Sequence, residues 1–492
     1  MNEALSLSSN LQGGGLRREQ PLRLDRRFLL FTLLAAVLLS WPLLVFGRPT
    51  YIQDSAAYYK GGRAAVSFAL ARLDGTGTAP TDARPAQAPG SQSPPPEEAA
   101  QDISGVRSIT YSVAAYLLSA PRATLLLLTV LQALATGAVT VAALGAFGGL
   151  PTLRTTAALI VLAGATTAAP VSFFAIPDIF AGLLIGSMVL LIAAASRLSP
   201  GVHLLCAGIA TFAVTAHASH IPLAGGMTIL GLGWVAVSRF SKNPVPPWTW
   251  AWVVAPLLIG GLTALSINRV AFGETSLISK RYPFALARSV NDGPGRWYLE
   301  KHCPELRYTI CTLYPHGLPP GGALEFLWGK DGVVERATPA QLDRIREEEA
   351  DIVLAAAREY SGHELRRLTY NAAVQLITFQ PYPFVERMVQ DDRGTPHLAP
   401  APRPDDRVLL IIGILTAISA AIGALWLGWV FIRERPLRPV VALMFLGILG
   451  NAATCVLLAA VAHRYQARVI WLIPLFALAL LGSFHRSDRR LD

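Results

Sequence analysis

The most regular feature of the chain is a series of apolar segments separated by short polar connections. Ten of these segments approach the roughly 20 residues that an α-helix needs to cross the hydrocarbon core of a bilayer. They cover residues 28–46, 122–146, 155–171, 178–196, 201–217, 221–238, 248–267, 407–431, 437–460 and 468–484. The pattern therefore predicts an all-α polytopic membrane protein with about ten transmembrane helices.

The composition agrees with this prediction. Of 492 residues, 52% are hydrophobic and 15% are charged, whereas soluble proteins carry about 25% charged residues. The net charge is +10, but the basic residues form short clusters between apolar segments and no Lys/Arg-rich domain. This distribution argues against nucleic-acid binding and is typical of the positive-inside bias of membrane proteins.

The basic clusters also predict the orientation of the chain. Residues 1–27 form a basic tail, and no small-residue cleavage site closes the first span, so we expect a retained first helix. With this tail in the cytoplasm, basic residues fall on the inside connections and on the C-terminal tail 485–492. They are Arg154, Arg197, Arg239, Lys242, Arg433, Arg435, Arg438, Arg486, Arg489 and Arg490. We therefore expect a multi-pass protein of the plasma (inner) membrane with both termini in the cytoplasm.

Two long segments then lie outside the cytoplasm. The N-terminal transmembrane module, 28–267, contains a first outer loop at 47–121. The middle of this loop, 74–102, is rich in Pro, Ala, Gly and Ser, and we interpret it as a flexible insertion. The second segment, 268–406, is polar enough to form a small extracytoplasmic α-rich domain before the C-terminal transmembrane helices at 407–484.

Local signals indicate helices and a disulfide in the outer domain. Thr338 and Gln341 form a capping-box pattern, after which apolar residues recur at helical spacing until Ser361. A second helical pattern covers 364–379, and no strong strand signal is present. Cys303 and Cys311 lie close together on the oxidising side, which favours a disulfide over two free thiols.

Ionisable and aromatic residues gather at the outer ends of the spans. They are Asp54, Tyr58, Lys60, Arg63, Asp178, His217, His220, His463, Arg464, Tyr465 and Arg468. Ionisable groups at membrane depth are costly, and those that occur usually face a cavity or a charged partner. The outer face is therefore the candidate functional face, and these residues are the candidate substrate-binding set.

The residue types suit group transfer from a lipid-linked donor. Arg464 and Arg468 are four residues apart, on one helical face, where they can hold a leaving phosphate. Asp54 is the candidate catalytic base that accepts a proton from an acceptor hydroxyl. The chain has no Gly-rich phosphate loop and no H-E-x-x-H pair. We expect no cofactor and no metal.

Structural roles account for the same residues and stay open at this point. Asp54 lies at the start of a predicted short helix and suits its N-cap. Asp178, which follows Pro177, suits the positive end of a helix dipole. His217 and His220 fit a polar helix end better than a metal site. Arg464 and Arg468 are also residue types that anchor span ends at the membrane interface.

Four features together carry a family resemblance. The first outer loop has an acidic residue followed by tyrosine, in Gln53–Tyr58, and a Pro177–Asp178 pair opens a span. A large outer segment follows the seventh span, and a late Arg464–Tyr465 pair precedes a span that contains Pro474. In these features the chain resembles the GT-C glycosyltransferases that use polyprenyl-phosphate sugars, such as protein O-mannosyltransferases and the lipid A aminoarabinose transferase. It departs from them in having a lone Asp54 where the family often has an acidic doublet.

The resemblance implies a function and two residue roles. Asp54 corresponds to the base or acceptor-orienting residue, and Arg464 to a contact of the donor phosphate. The partners would be a polyprenyl-phosphate-linked sugar, membrane lipids, and an extracytoplasmic glycan, lipid or protein acceptor. Two other functions stay open: a transporter or flippase of a lipid-linked substrate, and a non-catalytic membrane scaffold whose outer domain binds a partner.

Overall fold

The computed structural model describes most of the chain. The described residues are 21–73, 107–119, 124–241, 244–278, 281–303, 305–391, 396–401 and 406–488. The predicted flexible insertion at 74–102 lies outside them, as do Lys242, Arg489 and Arg490.

The N-terminal module consists of helices that run back and forth between two ends of a bundle. They are α1 (Arg26–Leu39), α2 (Trp41–Phe46), α3 (Gln53–Leu73), α4 (Ile109–Leu117), α5 (Leu126–Gly148), α6 (Thr152–Gly164), α7 (Ala168–Ser172), α8 (Phe180–Ala193), α9 (Pro200–Ala216), α10 (His220–Ser238) and α11 (Thr249–Phe272). Helix α8 follows a 3-10 turn at Pro177–Ile179 and is buried on all sides. Because it is apolar all round, α8 forms the centre of the bundle.

The outer domain and the last spans follow in the second half of the chain. Their elements are α12 (Phe284–Asp292), α13 (Pro294–His302), α14 (Thr309–Leu313), α15 (Ala323–Trp328), α16 (Val333–Arg336), α17 (Pro339–Glu359), α18 (Ser361–Ile377), β1 (Glu386–Gln390), β2 (Pro396–Pro400), α19 (Asp406–Arg433), α20 (Arg438–Leu458), α21 (His463–Ile470) and α22 (Leu472–Asp488). A 3-10 turn at Arg435–Leu437 joins α19 to α20.

Seven helices among the described residues are long and apolar enough to cross a membrane. They are Arg26–Phe46, Leu126–Gly148, His220–Ser238, Thr249–Phe272, Arg407–Arg433, Arg435–Leu458 and His463–Gly482. The three remaining predicted spans correspond to shorter apolar helices, Thr152–Gly164, Pro177–Ala193 and Pro200–Ala216. At about 1.5 Å per residue, each is shorter than the roughly 30 Å hydrocarbon core. The architecture is that of an all-α membrane protein, with seven full-length candidate spans where the sequence predicts ten.

Contacts between connections define the two ends of the bundle. At one end, Leu22 forms a parallel bridge with Leu198, next to the basic Arg197. At the other end, Thr50 forms a parallel bridge with Phe174. We call this second end the distal end. It gathers the connections that the basic clusters predict to lie outside the cytoplasm, whereas the first end gathers those predicted to lie inside.

The outer domain has a hydrophobic core of its own, which includes Leu286, Phe326, Ile345 and Ile352. The capping box at the start of α17 is confirmed: the Thr338 side chain accepts from the backbone of Gln341, and the Gln341 side chain accepts in return. Cys303 and Cys311 form a disulfide at the edge of this core. The domain is therefore held together by packing and by a covalent bond.

A buried arginine joins the outer domain to the transmembrane bundle. Arg288 on α12 is 4% exposed and donates to Asp292 at 3.2 Å and to Glu364 at 2.7 Å. Its Nε also donates to the carbonyl of Leu457, in the last turn of α20, at 3.1 Å. A charged side chain in such a position needs all of these partners. The contact therefore fixes α12 and α18 against the distal end of α20.

Three local expectations are wrong. Ser361 does not end the first outer helix: α17 ends at Glu359, and Ser361 begins α18. The helix that carries Asp54 is not short, because α3 has 21 residues. An antiparallel pair, β1 and β2, is present where no strand was predicted. Pro396 and Pro400 argue against a strand at β2 in the sequence. However, both strands of an isolated pair are edge strands, which tolerate proline.

The contact between α3 and α4 gives a testable stability prediction. A Cβ atom at Gly62 would overlap the carbonyl oxygen of Ser112, whereas one at Gly61 would lie 3.4 Å from the Ser112 hydroxyl. We expect Gly62→Ala to destabilise the protein by about 1–3 kcal/mol because α4 must move. Gly61→Ala is the matched control and should not lower the melting temperature in detergent, because alanine has the higher helix propensity. Equal melting curves for the two variants would contradict the close contact.

Candidate functional site

Asp54 lies between two arginines at the distal end. Its Oδ1 accepts from Nη2 of Arg107 at 2.8 Å, and its Oδ2 lies 3.8 Å from Nη1 of Arg464. The side chains are 39% exposed for Asp54, 30% for Arg107 and 25% for Arg464. We call these three residues the Asp54 cluster. It carries two positive charges and one negative charge, and solvent reaches all three.

The start of α3 positions Asp54. The helix begins at Gln53, so Asp54 lies in its first turn, where the helix dipole favours a negative charge. The hydroxyl of Ser55 accepts from the backbone N–H of Ile52 at 3.1 Å. The carboxylate of Asp54 is instead engaged with arginines from two other segments of the chain.

A second ion pair lies in the interior of the same end of the bundle. Nη1 of Arg468 lies 3.4 Å from Oδ1 of Asp178, and Arg468 is 1% exposed. The Arg468 guanidinium also donates to Oδ1 of Asn451 at 3.0 and 2.8 Å and to the Cys455 sulfur at 3.2 Å. Oδ2 of Asp178 is buried and has no hydrogen-bond partner among the described residues. We call Arg468 and Asp178 the inner pair.

Tyr465 contacts both arginines of α21. The guanidinium carbons of Arg464 and Arg468 lie 5.0 and 5.3 Å from the centre of its ring. Such stacking is a favourable cation–π geometry. The side chain of Arg464 is partly exposed, whereas that of Arg468 is buried. The sequence predicts that both hold a phosphate, but the burial of Arg468 and its full set of partners indicate a structural role.

Tyr58 lies one turn after Asp54 and is buried. Its ring packs edge-to-face on Tyr111 at 4.8 Å. Burial, followed by the negative charge of Asp54, raises the pKa of Tyr58 above its ordinary value of 10.0. The phenol therefore stays protonated near neutral pH and cannot act as a base. Within this part of α3, Asp54 is the group that can accept a proton.

Lys60 and Arg63 point away from Asp54. They follow it by six and nine positions, which at about 100° per residue places them roughly 120° and 180° around α3. Lys60 is half-buried, and Arg63 is exposed. The structure thus separates these two predicted substrate-binding residues from the Asp54 cluster.

The predicted histidines have local partners. Nδ1 of His217 lies 2.8 Å from the Ser219 hydroxyl, and Nδ1 of the fully buried His220 lies 2.7 Å from the Ala213 carbonyl oxygen. His463 is exposed and accepts from the backbone N–H of Gln380 at 3.2 Å. No group of three His, Cys, Asp or Glu side chains in the described part of the chain could hold a metal ion.

The outer domain supports the connection directly before α21, the helix that carries Arg464. The amide of Gln375 on α18 donates to the carbonyl of Ala462 at 2.9 Å and accepts from its N–H at 3.0 Å. Tyr382 stacks on Phe174 at 5.1 Å. Burial raises the pKa of Tyr382, and the charges of Arg464 and Asp54 act on it more weakly. Residues of the outer domain therefore complete the surroundings of the cluster.

Sequence reasoning missed Arg107 and Gln375. Arg107 had one usable signal, because it is a basic residue in the predicted first outer loop, 47–121. Its partner Asp54, however, precedes the insertion at 74–102, whereas Arg107 follows it. Gln375 is an ordinary polar position in a helical pattern and carries no signal of its contact.

An apolar cleft lies at the opposite end of the bundle. It measures about 230 Å³ and is lined mainly by apolar residues such as Leu144, Gly148, Ala158 and Leu478, with Arg154 at its edge. No carboxylate lines it among the residues whose side chains the structure describes. The cleft therefore lacks a group for acid–base chemistry and suits a lipid chain better than a reacting group.

The Asp54 cluster has the two groups that transfer from a phosphate-linked donor requires. A carboxylate accepts a proton, and a guanidinium binds phosphate oxygens through paired N–H donors. Both are partly exposed and lie within 3.8 Å of each other. Comparison of the chain with protein-family models, curated proteins and solved structures finds no match.

Proposed function

We propose that this protein is an integral membrane glycosyltransferase of the GT-C type. It would transfer a sugar from a polyprenyl-phosphate donor to an acceptor outside the cytoplasm. The observation that carries the proposal is the juxtaposition of Asp54 and Arg464. These residues come from the first outer loop and the last outer connection, which carry two of the four features of the family resemblance.

The mechanism would be a single displacement at the anomeric carbon of the sugar. Asp54 accepts the proton of the acceptor hydroxyl as its oxygen bonds to the anomeric carbon. The bond from that carbon to the phosphate oxygen breaks, and its electron pair leaves with the phosphate. Arg464 stabilises the negative charge on the leaving group. One displacement inverts the configuration of the sugar, and the reaction needs no nucleotide.

The position of the cluster suits such a donor. The polyprenyl chain resides in the bilayer, so its phosphate lies at the membrane surface, where the spans end. The Asp54 cluster lies at the distal end of the bundle, opposite the end that carries Arg197. With the positive-inside orientation, this end faces away from the cytoplasm in the plasma membrane.

The test is loss of the gene, followed by mass comparison of the surface glycans. We expect one glycan species to lose the mass of a single sugar, and wild-type protein to restore it. Purified protein in liposomes should then transfer that sugar from a labelled polyprenyl phosphate. The Arg344→Gln variant, which changes an exposed residue of α17, is the control and should behave as wild type.

Two outcomes would overturn the proposal. Unchanged glycans together with no transfer from any labelled donor would favour a scaffold. Movement of the intact lipid-linked sugar across the liposome membrane, without transfer, would favour a transporter.

A further inference from the structure

We infer that Arg107 and Arg464 form a binding site for a phosphate ester, which Asp54 occupies in the unliganded protein and leaves when the phosphate binds. The inference deepens the proposed function, because the ligand would be the donor phosphate and the displaced group the catalytic base. Displacement itself requires only that a phosphate binds.

The two contacts of Asp54 differ in strength. The bond to Arg107, at 2.8 Å, is a short charge-assisted hydrogen bond. The 3.8 Å separation from Arg464 is longer than a hydrogen bond. Arg464 therefore attracts the carboxylate without being fully engaged by it, and it can receive a second anion first.

Both arginines are accessible, and the inner pair is not. Arg107 and Arg464 are 30% and 25% exposed, whereas Arg468 is 1% exposed and bonded to protein groups. A ligand from the surface therefore meets two partly exposed cations, and these two flank a single carboxylate.

The charge balance favours a phosphate ester in this place. Two guanidiniums and one carboxylate give the cluster a net charge of +1, which a phosphodiester monoanion would neutralise. Phosphate oxygens match the planar fork of arginine and can accept from both guanidiniums at once. Displacement by the donor would leave the Asp54 carboxylate free to face an acceptor hydroxyl.

Competition between Asp54 and the ligand gives an unusual prediction for binding. Asp54→Asn removes the competing charge and should tighten binding of a phosphate ester by about fivefold or more. Arg107→Gln removes one of the two cations and should weaken binding by about tenfold, whereas Arg107→Lys should retain part of the affinity. Arg344→Gln is again the surface control and should bind as wild type does.

The experiment measures binding of labelled farnesyl phosphate to the purified full-length protein in detergent. Inorganic phosphate and vesicles of phosphatidylglycerol serve as competitors. Competition by inorganic phosphate at the same concentration as farnesyl phosphate would identify free phosphate as the ligand. Competition only by the farnesyl ester would identify a lipid-linked phosphate. Melting temperatures verify that each variant is folded.

The inference is overturned if Asp54→Asn binds no tighter than wild type, even if Arg107→Gln fails to fold. It is also overturned if no phosphate ester binds to the wild type. The proposed function is tested separately by sugar transfer. If sugar is transferred but the variants do not change phosphate binding, the proposed glycosyltransferase function stands and the displacement of Asp54 is wrong. If the variants change binding as expected but no sugar is transferred, the displacement stands and the proposed function is wrong.

Discussion

Arg468→Met is expected to leave little folded protein. The substitution removes the only cation within ion-pair distance of Asp178 among the described residues, and Asp178 is 3% exposed. Breaking a buried ion pair in this way costs about 3–5 kcal/mol. Folded proteins are stable by only about 5–15 kcal/mol in total. The melting temperature in detergent and the yield of monodisperse protein measure the loss.

A double substitution tests the reason for this loss. Arg468→Met combined with Asp178→Asn removes both charges, and most of the lost stability should return because no unpaired charge stays buried. Arg464→Met should melt close to wild type, because Arg464 is partly exposed. If Arg468→Met folded normally and only weakened donor binding, Arg468 would be a phosphate ligand and the structural role would be wrong.

Asp54→Asn is expected to reduce sugar transfer by a factor of about 10²–10⁴, the usual contribution of a general base. The amide keeps the shape of the side chain but accepts no proton at neutral pH. The side chain is 39% exposed, so the melting temperature should change little. Turnover of a labelled polyprenyl-phosphate sugar and thermal unfolding measure the two effects.

The same variant separates catalysis from a structural role at the start of α3. Asp54 lies in the first turn of α3 and not at its N-cap, so this role is the interaction of its charge with the helix dipole, worth about 0.3–1 kcal/mol. If Asp54 acted only at the start of α3, Asp54→Asn would therefore transfer sugar at the wild-type rate. Unchanged transfer would remove Asp54 from the role of base.

Local and periodic features of the fold were predictable. The apolar periodicity predicts the membrane class, because a helix in lipid must be apolar over most of its surface. The capping box at Thr338 involves two side chains within one turn, so the sequence contains all of its determinants. The shortened helices are less visible, because α6 ends at Gly164 and α8 at Ala193, inside the predicted apolar segments 155–171 and 178–196.

The candidate site was predictable only in part. Spacing places Arg464 and Arg468 on one side of α21, but it does not reveal that both guanidiniums stack on Tyr465. Burial then gives the two arginines different environments. The contact of Arg107 with Asp54 depends on how α3 and α4 pack, and this packing depends on Gly62 and Ser112. Such tertiary contacts have no periodic signature in one sequence.

The attachment of the outer domain to the bundle has a mechanical consequence. Arg288 donates a hydrogen bond to the last turn of α20, and Gln375 forms two hydrogen bonds with the backbone of the residue two positions before Arg464. A macromolecule that tilts α18 thus pulls on the backbone from which Arg464 projects. An antibody fragment that binds this domain would therefore shift the guanidinium of Arg464 without contacting the membrane surface.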